Sequence, residues 1–209
     1  MHPQLQPYFA QFPLSGELGR DVTAVLTHHQ LPIVAGHVSR VAQEAKRLAV
    51  QFGADPIGEE TAGWLHDISG VIPNAVRVDL CQTFNIPVLP GEADFPMILH
   101  QKLSAVVARE VFGVTDTAVL SAIGCHTTLK AGASLLDKIV FVADKIKWDQ
   151  PGEPPYLAEI ETAVTHSIDD ACRVYLNYLW QQRDSLRYIH PWFLAAYEEL
   201  SSPTYRRLP

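Results

Sequence analysis

The sequence predicts an all-α fold, a compact helical bundle. Three observations carry this. Apolar residues recur at three- and four-residue spacing through most of the chain, no stretch alternates convincingly as a strand would, and helix-boundary residues punctuate the apolar segments. Residues 33–52 set Val34, Val38, Val41, Ala45 and Leu48 on one stripe, and Gly53 follows where a helix-ending glycine belongs. Asp55-Pro56 is a good N-cap and first-turn pair for the next helix, and Pro73 precedes another over 74–84. NIPVLPGEADFP, with its prolines and glycine, reads as a loop. Further helices are expected at 97–112, 116–126, 134–147, 157–186 and 191–200.

The chain of 209 residues fits a single domain over 1–209. Within it we expect a site-bearing core over about 17–147 and a C-terminal helical extension over about 157–200. WDQPGEPPY is the one plausible seam. The tyrosine-, tryptophan- and leucine-rich C-terminal helices pack on the core or on a second chain, as in a homodimer; the sequence leaves both open.

Composition excludes several classes of function. At 47% hydrophobic and 19% charged residues, the chain is globular. No apolar run is long enough to span a bilayer, and MHPQLQPYFAQF lacks a basic flank leading into an apolar core. Cys81, Cys125 and Cys172 are odd in number and widely spaced, which fits a reducing cytoplasm. A net charge of −7 argues against a nucleic-acid polymer as partner and leaves a small phosphorylated nucleotide open.

The chemistry is concentrated in His37, the pair His66-Asp67, His100, His126 and Asp144. His37 lies one turn from both Ile33 and Val41; His66 follows Ala62 by four, His126 follows Ala122 by four, and Asp144 follows Val140 by four. His100 comes three after Met97. Separate helices thus aim titratable groups at one interior, the arrangement a bundle metal site requires. One such histidine alone is more often a core residue bonded to a carbonyl. Asp144, among Ile139, Val140, Phe141, Val142 and Ala143, requires a partner. Asp137, seven residues earlier on nearly the same face, competes with it but sits nearer the exposed start of its helix. Mixed imidazole and carboxylate donors suit two divalent transition metals, iron, manganese or zinc, and hence metal-assisted hydrolysis.

These pieces resemble the HD superfamily of metal-dependent phosphohydrolases. HVSRVAQEAKRLAVQFGAD, AGWLHDIS, ILHQKLSAVVAREVFG and AIGCHTTLKAGASLLDKIVFVADKI look like its small bacterial branch of symmetrical diadenosine-tetraphosphate hydrolases, over about residues 33–147. The resemblance implies an HD-type helical bundle with a buried dinuclear centre, most simply di-iron. On that basis His37, His66, Asp67 and Asp144 hold one metal, and Asp67, the catalytic bridging carboxylate, reaches a second held by His100 and His126. The chain departs from the branch at Gly70, where a lysine is usual, and at KIKWDQPGEPPY, where an acidic-proline segment ending in arginine is usual. The implied reaction is cleavage of diadenosine tetraphosphate to two ADP. The alternatives are another substrate (a nucleoside monophosphate, an alarmone or another phosphoester) and a catalytically silent nucleotide-binding regulator.

Arg40, three residues after His37, is a candidate phosphate contact, against a solvated surface arginine. Thr127 and Thr128 are candidates for bonding phosphate or ribose, against turn formation. Lys102 and Lys138 read as surface charges and Cys125 as a small core residue. His28, His29, His166 and His190 read as structural or exposed, and Trp180, Tyr175 and Tyr178 as a core stripe.

Overall fold

The computed structural model describes residues 1–202, so the last seven positions of the expected single domain lie outside the described residues. The described residues form twelve α-helices linked by loops and short 3-10 turns, with no strand. In chain order these are α1 (Gln6–Phe9), α2 (Leu18–His28), α3 (Pro32–Phe52), α4 (Pro56–Leu65), α5 (Asn74–Thr83) and α6 (Pro90–Asp94). They continue with α7 (His100–Glu110), α8 (Thr117–Cys125), α9 (Leu135–Ile146), α10 (Leu157–Val164), α11 (Ile168–Gln181) and α12 (Pro191–Ser201). No helix among the described residues is long and apolar enough to cross a membrane.

The boundaries follow from local chemistry. Pro32 opens α3 at a position whose N–H would have no helical partner, and Gly53 closes it at φ 71°. Asp55 caps α4 by accepting from the Ile57 and Gly58 amides. Ser134 and Asp137 cap α9 reciprocally, each side chain accepting from the other's backbone amide. Gly63 is required by packing: a Cβ there would stand 2.5 Å from the Ala42 Cα, so α4 can lie this close to α3 only without a side chain.

Two apolar cores meet along α3 and α9. One packs Val38 and Val140 with Leu26, Leu65, Leu103 and Ile123, from α2, α4, α7 and α8. The other packs Val41, Leu48 and Phe141 with Ile160, Leu176 and Phe193, from α10, α11 and α12. Each fully buried leucine contributes about 1.5–3 kcal/mol. Within this second core α10 and α11 pack on α9 and on each other, and α12 packs on α11, all in the same chain.

Several expectations require correction. Residues 157–186 are two helices, because Ser167 caps a new one by accepting from the Asp170 amide. The 85–96 loop contains α6, and a 3-10 turn at Pro96–Leu99 delays α7 until His100. Ile33 is 70% exposed, so it is no guide to the direction of His37. Lys102 and Lys138 are buried, paired with Glu92 at 2.7 Å and with Asp169 at 2.8 Å. Asp137 is also buried; its carboxylate is engaged by the cap, by the Ser121 hydroxyl at 2.5 Å and by Lys130 at 3.6 Å.

Candidate metal centre

His66 and His126 are the residues that end α4 and α8, and His100 begins α7. Each ring turns back on its own chain, with Nδ1 donating to the carbonyl three residues earlier: Gly63, Ile123 and Met97, each at 2.8 Å. His37 comes from the second turn of α3 and turns to another helix for its acceptor. Its Nδ1 donates instead to the Lys147 carbonyl at the end of α9, at 2.8 Å. A carbonyl only accepts, so all these Nδ1 atoms carry the hydrogen. In each ring Nε2 is therefore the nitrogen that faces the site, held in place by a backbone acceptor.

These nitrogens converge. Nε2 of His37 lies 3.1 Å from Nε2 of His66, and Nε2 of His100 lies 3.1 Å from Nε2 of His126. Asp67 stands between the pairs. Its Oδ2 faces His66 at 3.5 Å and His37 at 3.9 Å, while its Oδ1 faces His100 at 3.3 Å and His126 at 3.4 Å. Asp144 joins the first pair through Oδ1, 3.0 Å from His37 and 3.6 Å from His66.

Groups this close need a shared cation among them, a metal ion or, without one, the proton that Asp67 and Asp144 hold on His66. Donors bound at about 2.1 Å to one ion sit about 3.0–3.4 Å apart in octahedral or tetrahedral arrangements. The donor set therefore fits two ions, one beside each oxygen of Asp67, in line with the clusters of ligating atoms lying within 4.8 Å of one another.

The electrostatics agree. Burial opposes charge on Asp67 and Asp144, but the surrounding imidazoles, and for Asp144 the Lys145 ammonium, hold both well below the usual carboxylate range. Burial also opposes charge on His66, yet Asp67 and Asp144 outweigh it and hold its pKa up at about 9. His126 is pulled down to about 4 by burial, which its hydrogen bond to Asp67 opposes only partly. Lys145 bonds the second oxygen of Asp144 at 2.5 Å and the His126 carbonyl at 3.3 Å, leaving that carboxylate one oxygen to offer.

All six expected ligands thus meet at one place, and all but the fully buried His66 line a cavity of about 400 Å³. Thr127 joins them, its hydroxyl 3.0 Å from both His100 Nε2 and His126 Nε2. Thr128 turns inward, its hydroxyl bonded to Gln101 and to the Leu129 carbonyl. Arg40 is not brought in: it is exposed, and its guanidinium folds back along α3 beside Gly36. Arg77, Lys145, Trp148 and Tyr175, none of them among the expected site residues, line the cavity instead. Lys145 was legible, an ammonium directly after Asp144 in an apolar helix. Arg77, in the ordinary amphipathic stretch NAVRVDL, gave no signal.

A second cavity of about 310 Å³ shares Thr127 and Tyr175 with the first and is walled by Phe95, Leu179, Tyr188 and Phe193. α11, α12 and the segment between them contribute much of this wall.

Comparison with known proteins places this geometry. The HD domain model matches residues 34–149. A protein of Lactococcus lactis subsp. cremoris, described as uncharacterized and lying in the pepC 5′ region, is 45% identical over 141 residues, covering 68% of this chain and 71% of its own. A protein of Halalkalibacterium halodurans named symmetrical bis(5′-nucleosyl)-tetraphosphatase is 29% identical over 178 residues, covering 84% of this chain and 90% of its own. A crystal structure from Clostridium acetobutylicum, described as a predicted HD superfamily hydrolase involved in NAD metabolism, superposes with a TM-score of 0.79 at 25% identity, covering 87% of this chain and 95% of that one.

Proposed function

The chain belongs to the HD-domain family and is a metal-dependent phosphohydrolase; from that premise we propose that it cleaves diadenosine tetraphosphate symmetrically to two ADP. The observation that carries the metal assignment is the division of Asp67 between two histidine pairs. His37, His66, Asp67 and Asp144 would hold one ion, with Asp67 bridging to a second held by His100 and His126. Iron is the expected metal. Such ions, when bound, depress the pKa of a water and polarise phosphoryl oxygens.

The chain's own residues supply the rest. The four imidazoles are held in orientation by their backbone carbonyls, which keeps the site set before substrate arrives. The Thr127 hydroxyl at the mouth of the second pair is placed to donate to a phosphoryl oxygen. In hydrolysis, water oxygen bonds to phosphorus as the bridging P–O bond breaks, and the water's proton leaves to solvent. The adjoining aromatic cavity is suited to one nucleoside, and the buried free cysteines are in keeping with a cytoplasmic setting.

A second reading keeps the metals and changes the substrate to a nucleoside monophosphate, an alarmone or another phosphoester. Gly70 favours it, because the cavity wall there carries no lysine. Chromatographic product analysis with Fe(II)-loaded protein separates the two. ADP alone from diadenosine tetraphosphate supports the first reading. Turnover of another nucleotide, with none of diadenosine tetraphosphate, replaces it by the second.

A further inference from the structure

Arg77 is an unusual residue to find in the wall of this cavity. It projects from α5, is 6% exposed and keeps its charge at any accessible pH. Its Nε donates to the Ile72 carbonyl at 3.1 Å and its Nη1 to the Met97 carbonyl at 2.8 Å. Both partners are uncharged. Lys145, the other buried cation of the wall, is neutralised by Asp144, whereas no carboxylate among the described residues forms an ion pair with Arg77. Asp67 acts on it only through space, and burial outweighs that help. A buried, unpaired charge is costly, and one that borders a cavity finds its counter-ion in what enters the cavity.

We propose that Arg77 anchors a substrate phosphate, its free Nη2 meeting a non-bridging oxygen on a phosphate beside the one attacked. The inference rests on the phosphohydrolase reading and adds to it a binding residue for the anionic chain. The two carbonyl bonds hold the guanidinium rigid, so little side-chain freedom is lost when phosphate arrives. A bond from a fixed guanidinium to a phosphate oxygen is charge-assisted and changes affinity by about tenfold to a hundredfold.

The rival explanation is that Arg77 only braces the turn around Ile72 against Met97. Gly70 allows the two to be told apart. It lines the same cavity, its φ is not in the left-handed region, and a Cβ there would meet only the Leu31 Cδ1, at an ordinary 3.8 Å. A lysine at that position returns a cation to the cavity without restoring any bond to Ile72 or Met97.

The experiment is calorimetric titration of the metal-loaded protein with ADP, with metal content and melting temperature measured on each sample. Arg77→Gln, which keeps a donor for one carbonyl, is expected to weaken ADP binding by about tenfold or more at full metal content. Adding Gly70→Lys to that variant is expected to recover most of the loss. ADP binding by Arg77→Gln equal to the wild type overturns the proposal. So does a loss that Gly70→Lys leaves uncorrected, since a brace is not replaced by a lysine elsewhere. Should Arg77→Gln fail to fold, Gly70→Lys in the otherwise native chain decides: ADP binding tightened severalfold supports a phosphate there, and unchanged binding overturns it. A wild type that binds no ADP at full metal content removes the nucleotide reading itself, an outcome distinct from all of these.

Discussion

The backbone carbonyl of Lys147 accepts the Nδ1 hydrogen of His37 at 2.8 Å, across 110 residues of chain. Lys147 ends α9, where helical carbonyls lack partners, and His37 lies in the second turn of α3. One bond therefore satisfies a helix end, joins the two central helices and directs Nε2 at His66 and Asp144. The loop at 148–156 begins directly after this bond, so the cavity wall formed by Trp148 is anchored to the metal-facing histidine.

Asp67 serves both histidine pairs, so its loss is expected to act on both ions at once. Asp67→Ala should abolish metal retention and lower turnover more than about a hundredfold, beyond the range of outer partners of a ligand. His126→Ala should chiefly remove the ion on its own side. Metal-to-protein ratios of the purified variants check this. Wild-type activity in Asp67→Ala would exclude it as the bridging ligand.

Arg40 lies outside the cavity, its guanidinium beside Gly36. Arg40→Ala should leave KM and kcat within about twofold of the wild type, the scale of a surface charge. A large rise in KM would show that α3 presents this arginine to substrate after all.

Glu92 is fully buried between Lys102, at 2.7 Å, and His190, at 3.0 Å. This trio pins α12 to α7 by way of α6, away from the metal donors. Lys102→Met leaves the carboxylate with one partner fewer and should cost about 3–5 kcal/mol. For a chain of this length that lowers the Tm by about 6–20 °C. Calorimetry reads the loss, with metal content expected unchanged; an unaltered Tm would mean the trio contributes little.

Glu59 is fully buried with neither carboxylate oxygen partnered. Burial first, then Asp137 and Asp55, push its pKa up to about 9. The unfolded side chain titrates near ~4.3. Between those values the folded chain keeps a proton that the unfolded chain releases, so stability falls as pH rises, by at most ~1.4 kcal/mol per unit. Glu59→Gln has the same shape and no charge. Its denaturation midpoint should fall less than the wild type's between pH 5 and 9 and exceed it at pH 8. Parallel profiles would contradict the buried, protonated state.

The positions of the metal-facing residues were legible because a histidine or aspartate has short reach and little reason to occupy an apolar helix face. His66, His126 and Asp144 therefore point where the stripe points. Long cations obey no such rule. Arg40 shares a side of α3 with His37 at Cα but carries its charge back toward Gly36, while Arg77 carries its own from α5 into the cavity. Lys102 and Lys138 looked like surface charges for the same reason: their partners, Glu92 and Asp169, are distant in sequence or on another helix. The break in 157–186 had a local signal, Ser167 three residues before Asp170, masked by apolar periodicity on either side. The second cavity had none, since its walls meet only in the folded chain.

The measurement that bears most directly on this account is elemental analysis after anaerobic, chelator-free purification. The converging Nε2 atoms divided by Asp67 predict about two transition-metal ions per chain. Fewer than one ion per chain in folded protein would contradict the metal centre on which the proposed hydrolysis depends.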